Sequence, residues 1–304
     1  MAFSAKDVKA LREQTNVGMM DCKKALTEAD GDFDKAIEIL REKGLAKAAK
    51  KASRVAAEGI VSIEICDKCG AAAIVEVNSE TDFVAKNADF QKFASDVAKV
   101  VIAENPADLD ALKAAKMGDV TVEGALQEKV LTIGENLQIR RFERYDESTV
   151  NVGYTHMGGV IGVLVGLEVS DNLKGNPAVI ELGKDIGMQA AAMRPLFMDK
   201  SDVDQATLDK EKEILLIQAT EENKTAAKPK PQQIIEKMVM GRINKYYKEV
   251  CLVDQEFVKD PDQTVGKLVK AAGAEVLAFS RFQLGEGIEK KQEDFAAEVM
   301  SQIK

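Results

Sequence analysis

Two stretches of the chain, Val61-Ser62-Ile63-Glu64-Ile65 and Val150-Asn151-Val152-Gly153-Tyr154, place apolar side chains at every second position and stand 89 residues apart. That alternation predicts a half-buried β-strand in each. The correspondence continues downstream at the same offset. Gly70 falls on Gly159, Ile74 and Val75 on Val163 and Leu164, Asp82 on Asp171, and Asn87 on Asn176. Phe90, Phe93 and Val97 then meet Val179, Leu182 and Ile186 at helical spacing. Each copy reads strand, tight turn, strand, polar turn, helix. A later strand also recurs: Leu137, Ile139, Arg141 and Phe142 resemble Leu277, Phe279, Arg281 and Phe282, now 140 residues on. The second copy therefore carries 51 residues more than the first, the difference between the two offsets.

The extra residues follow Met193-Arg194-Pro195. Val203 to Glu222 is a charged helical pattern with Leu208, Ile214, Leu215 and Ile217, and Gln232 to about Lys248 is a second, with Ile234, Ile235, Met238, Val239 and Ile243. Pro229 and Pro231 between them cannot continue a helix, so the pair predicts an antiparallel helical hairpin. Its apolar face exceeds what one partner helix covers, which predicts docking or self-association.

Outward from the repeat, residues 1 to about 43 predict three short helices. Ser4 with Asp7 forms an approximate capping box for a helix through Val8 and Leu11. Asn16-Val17-Gly18 stops it, and Met19 to Glu28 follows with Cys22, Ala25 and Leu26 on one face. Phe33, Ala36, Ile37 and Leu40 mark a third helix, with Lys43-Gly44 as its end. Leu45 to Arg54, rich in Ala and Lys, reads as an exposed helical linker. At the other end Gly285-Glu286-Gly287 precedes a helix from about Lys291, with Phe295, Val299 and Ile303 on one face. The resulting division is 1–54 for the N-terminal module and linker and 55–145 for the first core subdomain. The second core subdomain takes 146–194 and 246–284, the inserted hairpin 195–245 and the C-terminal module 285–304.

With 304 residues, 45% apolar and 31% charged, the chain has material for packed cores and is too apolar to be disordered. Its net charge of −9 argues against a protein that coats nucleic acid. Four cysteines in this length are no disulfide scaffold and predict a reducing compartment. No segment reads as a signal peptide or a membrane span.

Chemistry-bearing motifs are sparse. Cys66-Asp67-Lys68-Cys69-Gly70 has the spacing of a zinc knuckle, but the repeat supplies no second pair, and a hairpin turn is the preferred reading over a zinc-dependent enzyme. His156 is the single histidine and falls in a predicted turn, with no nucleophile motif beside it. Ser79-Glu80-Thr81-Asp82-Phe83-Val84-Ala85-Lys86-Asn87 supports two readings. In one it is a structural strand-to-helix turn, with Asp82 as a cap and Phe83 in the core. In the other, Phe83 is a protruding anchor for a partner, because its repeat counterpart is Asn172 and the fold does not require an apolar residue there.

These residues resemble the bacterial elongation factor Ts family. Leu11-Arg12-Glu13-Gln14-Thr15-Asn16-Val17-Gly18-Met19-Met20-Asp21-Cys22-Lys23-Lys24-Ala25-Leu26 is similar to its N-terminal signature, with Asn16 where a glycine is usual. Thr81-Asp82-Phe83-Val84-Ala85-Lys86 resembles the segment that intrudes on the partner's magnesium and nucleotide site. Met240-Gly241-Arg242, Thr264-Val265-Gly266 and Gly285-Glu286-Gly287-Ile288-Glu289-Lys290 resemble later blocks.

The resemblance implies an α+β fold with a ubiquitin-associated-like three-helix N-terminal module and a core of two repeated α+β subdomains. It adds an inserted antiparallel helical hairpin and a C-terminal helix. It implies a cytoplasmic guanine nucleotide exchange factor that binds elongation factor Tu, GDP-bound or nucleotide-free, and promotes GDP release in translation elongation. Such a factor needs no covalent chemistry, cofactor or metal of its own, and no direct nucleic-acid or membrane partner. Thr81, Asp82, Phe83 and Val84 would act on the magnesium site, and Arg12, Met19 and Met20 would grip Tu at a second point. One of Met19 and Met20 is expected to pack and the other to be exposed, and the hairpin is a candidate homodimer contact. The alternative is a scaffold that tethers proteins without affecting nucleotide.

Overall fold

A computed structural model describes residues 3–15, 17–225 and 229–289. Three helices open the chain: α1 (Ala5–Thr15), α2 (Met19–Glu28) and α3 (Phe33–Lys51). At the start of α1 the Ser4 amide and hydroxyl both donate to Asp7 Oδ2, at 2.6 and 2.8 Å. Val8, Leu11, Cys22, Ala25, Leu26, Ala36 and Leu40 form the core of this unit. Asn16 lies outside the described residues.

Gly44 does not end the third helix, which runs on to Lys51. A Cβ at Gly44 would stand 3.3 Å from Leu131 Cδ2 in a later helix. A side chain there would press on Leu131, which would have to give by a few tenths of an ångström, so the position is a packing contact inside the helix.

The first repeat copy follows with β1 (Glu58–Ile65), β2 (Ala72–Ser79), the single turn α4 (Asp82–Ala85) and α5 (Ala88–Glu104). After α6 (Leu109–Ala114) come the short pair β3 (Lys116–Met117) and β4 (Val120–Thr121), then α7 (Val122–Ile133) and β5 (Gln138–Tyr145). The second copy has β6 (Val150–His156), β7 (Ile161–Val169) and α8 (Pro177–Met193). The hairpin α9 (Gln205–Lys224) and α10 (Gln232–Val250) intervenes before β8 (Glu256–Phe257), β9 (Asp260–Thr264), α11 (Val265–Ala271) and β10 (Ala274–Gln283).

The order of elements recurs as expected, but the strand registers shift the outer strands by two residues. With Ala72 matched to Ile161, pairing makes Ile65 the counterpart of His156 and Phe142 that of Ser280, so β1 meets β6 at an offset of 91 and β5 meets β10 at 138. The two three-stranded antiparallel sheets have orders β1-β2-β5 and β6-β7-β10, so the hairpin's second strand is central in each. Asn87 and Asn176 cap α5 and α8 with their side-chain oxygens, and both helices end on left-handed residues, Asn105 and Arg194.

Each sheet is covered on one face by its own helices and meets the other sheet on the opposite face. Val75, Val77, Phe90, Phe93 and Val97 fill the first outer core. Val163, Val165, Leu182 and Ile186 lie in the second. Val61, Ile74, Leu164 and Phe282 lie between the sheets. There the Val61 amide donates to Gly159 O at 2.8 Å. A Cβ on Gly162 would come within 2.5 Å of Val61 Cγ1, so a side chain at that position would force the sheets apart.

Among the described residues, Glu76 is a fully buried charged group. Glu76 accepts from Arg140 Nη1 at 3.0 Å, Arg141 Nε at 2.6 Å and the Gly285 amide at 2.9 Å, tying β2 and β5 to the end of β10.

The hairpin stands on a neck in which the Leu196 and Phe197 amides donate to Val250 O at 2.8 and 3.1 Å. Its two helices share a small core of Ala219, Ile235 and Val239 with Leu215. Ile214, Ile217 and Ile234, expected on the apolar face, remain exposed, as does Met240. Among the described residues no helix is long and apolar enough to cross a membrane. The expected C-terminal helix with Phe295, Val299 and Ile303 lies outside them.

Candidate functional site

The turn from Ser79 to Asn87 leaves the end of the fully buried strand β2 and enters α5. Its foot is clamped. Glu135 Oε2 accepts the Glu80 and Thr81 amides at 3.1 and 3.0 Å, and Glu135 Oε1 accepts the Thr81 hydroxyl at 2.7 Å. In return the Asn136 amide donates to Glu80 Oε1 at 2.6 Å. The Ser79 hydroxyl donates to Thr81 O at 2.9 Å, and Asn87 Oδ1 takes the Asp89 amide at 2.8 Å.

The tip of this turn divides sharply. Val84 is buried at 8% exposure and packs into the first core, whereas Phe83 beside it is 79% exposed. Of the two readings of this turn, the core placement of Phe83 is thus overturned. Asp82 also departs from expectation. It opens α4 and its carboxylate meets Lys86 Nζ at 2.6 Å instead of capping the helix; Thr81 occupies the cap position. That hydrogen bond from Lys86 is the main cause holding the Asp82 carboxyl below its ordinary pKa. Lys86 Nζ also stands 6.0 Å from the centroid of the Phe83 ring. The tip therefore presents an aromatic ring and an ionised carboxylate on a stiff base.

Phe83 and Val84 lie on a cleft of about 1310 Å³ between the N-terminal helices and the first core. Gln14, Thr15, Val17, Ile37 and Leu40 line one side, and Val120, Gln127 and Leu131 the other. Arg41 Nε reaches Glu128 Oε1 at 3.7 Å across it. Arg12, Met19 and Met20 do not line this cleft. All three are exposed, Met19 at 40% and Met20 at 63%, so neither methionine is the packed one that was expected.

The other motifs stay apart from this turn. His156 is exposed at the end of β6, with Tyr154 Oη 3.3 Å from its Nδ1. Cys66 and Cys69 occupy the β1–β2 turn, while Cys22 and Cys251 are buried. Among the described residues no group of three or more His, Cys, Asp or Glu is placed to hold a metal ion. Sequence reading missed Glu135. A Gly-Glu-Asn after a helix signals a turn, but nothing in its spacing points to a residue 54 positions earlier.

Comparison with known proteins agrees with this architecture. Residues 80–286 match the family model described as "Elongation factor TS". The chain is 51% identical over 305 residues to Elongation factor Ts of Thioalkalivibrio sulfidiphilus, covering 100% of this chain and 99% of the relative. It is 51% identical over 305 residues to Elongation factor Ts of Clostridium perfringens strain SM101, covering 98% of each. With Elongation factor Ts of Alkalilimnicola ehrlichii it shares 49% over 304 residues, covering 100% of this chain and 99% of that protein. Two helix-covered three-stranded sheets, an inserted helical hairpin and an exposed turn thus belong to a translation elongation factor, a protein of protein biosynthesis. The chain is a member of the elongation factor Ts family.

Proposed function

We propose that this chain binds elongation factor Tu, GDP-bound or nucleotide-free, and promotes release of GDP so that GTP can refill the site. The observation that carries the reading is Phe83, a large apolar ring left 79% exposed at the tip of a turn held rigid from below. Exposed aromatics on rigid supports are the residue type that dominates binding energy at interfaces.

No covalent step is required of the chain, only differential affinity. If it binds nucleotide-free Tu more tightly than Tu with GDP, linkage requires that it weaken GDP by the same factor. In this reading Phe83 enters an apolar pocket of the nucleotide domain, and Asp82 disturbs the loop that orders the magnesium shell. Thr81 and Val84 hold those two in position. Loss of the ion removes charge compensation from the diphosphate, and GDP leaves. Arg12, Met19 and Met20 grip Tu at a second point, where polarizable thioethers adapt to a partner surface. The work is done in the cytoplasm, with no direct contact to nucleic acid or membrane.

Stopped-flow release of fluorescent GDP from Tu tests the proposal. Acceleration by the chain, lost in Phe83→Ala, is expected. An unchanged release rate with intact binding would favour the scaffold.

A further inference from the structure

The β1–β2 turn holds two thiols for which the fold has no need. In the second copy the equivalent turn between β6 and β7 is shorter, running from Met157 to Val160, and it closes without a cysteine. The turn is closed tightly on itself: the Cys66 amide donates to Ala71 O and the Gly70 amide to Cys66 O, both at 2.8 Å. Cys66 and Cys69 are three residues apart in this turn, and their side chains lie within hydrogen-bonding reach of each other. The Cys69 amide donates to Cys66 Sγ at 3.3 Å, which favours a negative sulfur at that position. Cys69 is exposed and Cys66 is partly so, whereas Cys22 and Cys251 are fully enclosed.

We propose that Cys66 and Cys69 form a redox-active dithiol that closes to an intrachain disulfide by exchange with a low-molecular-weight disulfide. The Cys66 thiolate attacks one sulfur of oxidised glutathione, forming a mixed disulfide and releasing one glutathione thiolate. Cys69 then loses its proton and attacks the Cys66 sulfur, forming the Cys66–Cys69 bond and releasing the second glutathione. Two protein thiols are oxidised by two electrons, one glutathione disulfide is reduced, and the two protons end on the two glutathiones.

The order of attack follows from the surroundings of the two sulfurs. Hydrogen bonds from the Cys69 side chain and from the Cys69 and Lys68 amides draw the Cys66 thiol below its ordinary pKa. Cys69 is raised, chiefly by its hydrogen bond to Cys66, with the negative Glu147 facing it from the turn after β5. Asp67 and Lys68 are the charged residues within the turn itself. A metal reading is weaker, because a closed zinc site needs about four ligands and two thiols are present.

The test uses the reduced full-length protein, oxidised glutathione, and peptide mapping after alkylation under unfolding conditions. The expected product is one Cys66–Cys69 disulfide, with Cys22 and Cys251 alkylated as free thiols. Cys69→Ser should stop at a single glutathionyl group on Cys66. Cys66→Ser should react more slowly, on the order of tenfold, because the favoured thiolate is gone. Wild-type protein that accumulates glutathionyl groups without closing, or that links between copies instead, overturns the proposal. So does a stoichiometric zinc ion that shields both thiols.

Discussion

Thr81 presents both its hydroxyl and its amide to the single carboxylate of Glu135, at 2.7 and 3.0 Å, and the Glu80 amide joins them at 3.1 Å. Three donors converge on one side chain from a residue far along the chain, so the clamp is a long-range lock on the turn. Glu135→Ala leaves those donors to water or unpaired, and the expected cost is about 1–3 kcal/mol in urea unfolding. Glu135→Gln keeps one acceptor oxygen and should cost less. Hydrogen exchange at the Thr81 amide should quicken in both variants, more in the alanine. Equal protection in all three proteins would mean that the clamp contributes no rigidity.

The repeat and the hairpin were legible because each rests on a local period. Asn87 and Asn176 open helices whose buried residues recur at helical spacing, and the sequences of β1 and β6 alternate, although the central strands β2 and β7 are buried almost throughout. What escaped was set by contacts between distant segments. Gly44 looked like a helix end because glycine after a basic turn usually is one, and the packing of Leu131 against it is invisible locally. Glu135 escaped for the same reason. Helix α7 is a different case, since Val122, Leu126 and Val130 step by four on its buried face and were there to be read. The exposure of Phe83 was half legible: Asn172 in the second copy argued against a core role, and only the fold decided it.

The hairpin should be removable above its neck. Ala219, Ile235 and Val239 make a core of their own, separate from the one that holds Leu252 and Phe257. The neck bonds, with Leu252 N donating to Phe197 O at 2.9 Å, belong to the base. Replacing residues 206–245 by a short Gly-Ser linker should reduce the helical circular-dichroism signal and leave thermal unfolding of the rest cooperative. Binding to Tu should survive. A chain that no longer folds would show that the hairpin is part of the core.

Tyr145 gives the base-side pH dependence. Burial at the sheet interface pushes its pKa up to about 12, against the lowering effect of its 2.9 Å hydrogen bond with Ser280. Its folded value lies above the unfolded value of ~10, so the unfolded chain releases the proton first. The stability this contributes is complete below pH ~10 and is lost as pH rises through the folded pKa. Near-ultraviolet absorbance should show late phenolate formation among the four tyrosines. Burial also raises Tyr246, so Tyr145→Phe serves to assign the latest step, which it should abolish.

Phe83 and Val84 are adjacent, and opposite in environment, which makes them each other's control. Val84→Ala removes two buried methyl groups from the first core and should cost about 1–3 kcal/mol of stability. Phe83→Ala removes a ring that is 79% exposed, and unfolding should change by no more than about 0.5 kcal/mol. Function is expected to run the other way. An aromatic anchor at an interface is worth ~2 kcal/mol or more. If that energy is realised mainly in nucleotide-free Tu, Phe83→Ala should slow GDP release on the order of tenfold or more. Binding through Arg12, Met19 and Met20 should persist. Asp82→Ala on top should add less than its separate effect, because neighbouring residues acting on one loop are seldom additive. Urea unfolding and fluorescent GDP release, measured on the same preparations, separate the two residues. If Phe83→Ala is as destabilising as Val84→Ala while its folded fraction still drives release at the wild-type rate, the ring is packing and the assignment of Phe83 as an anchor for Tu fails.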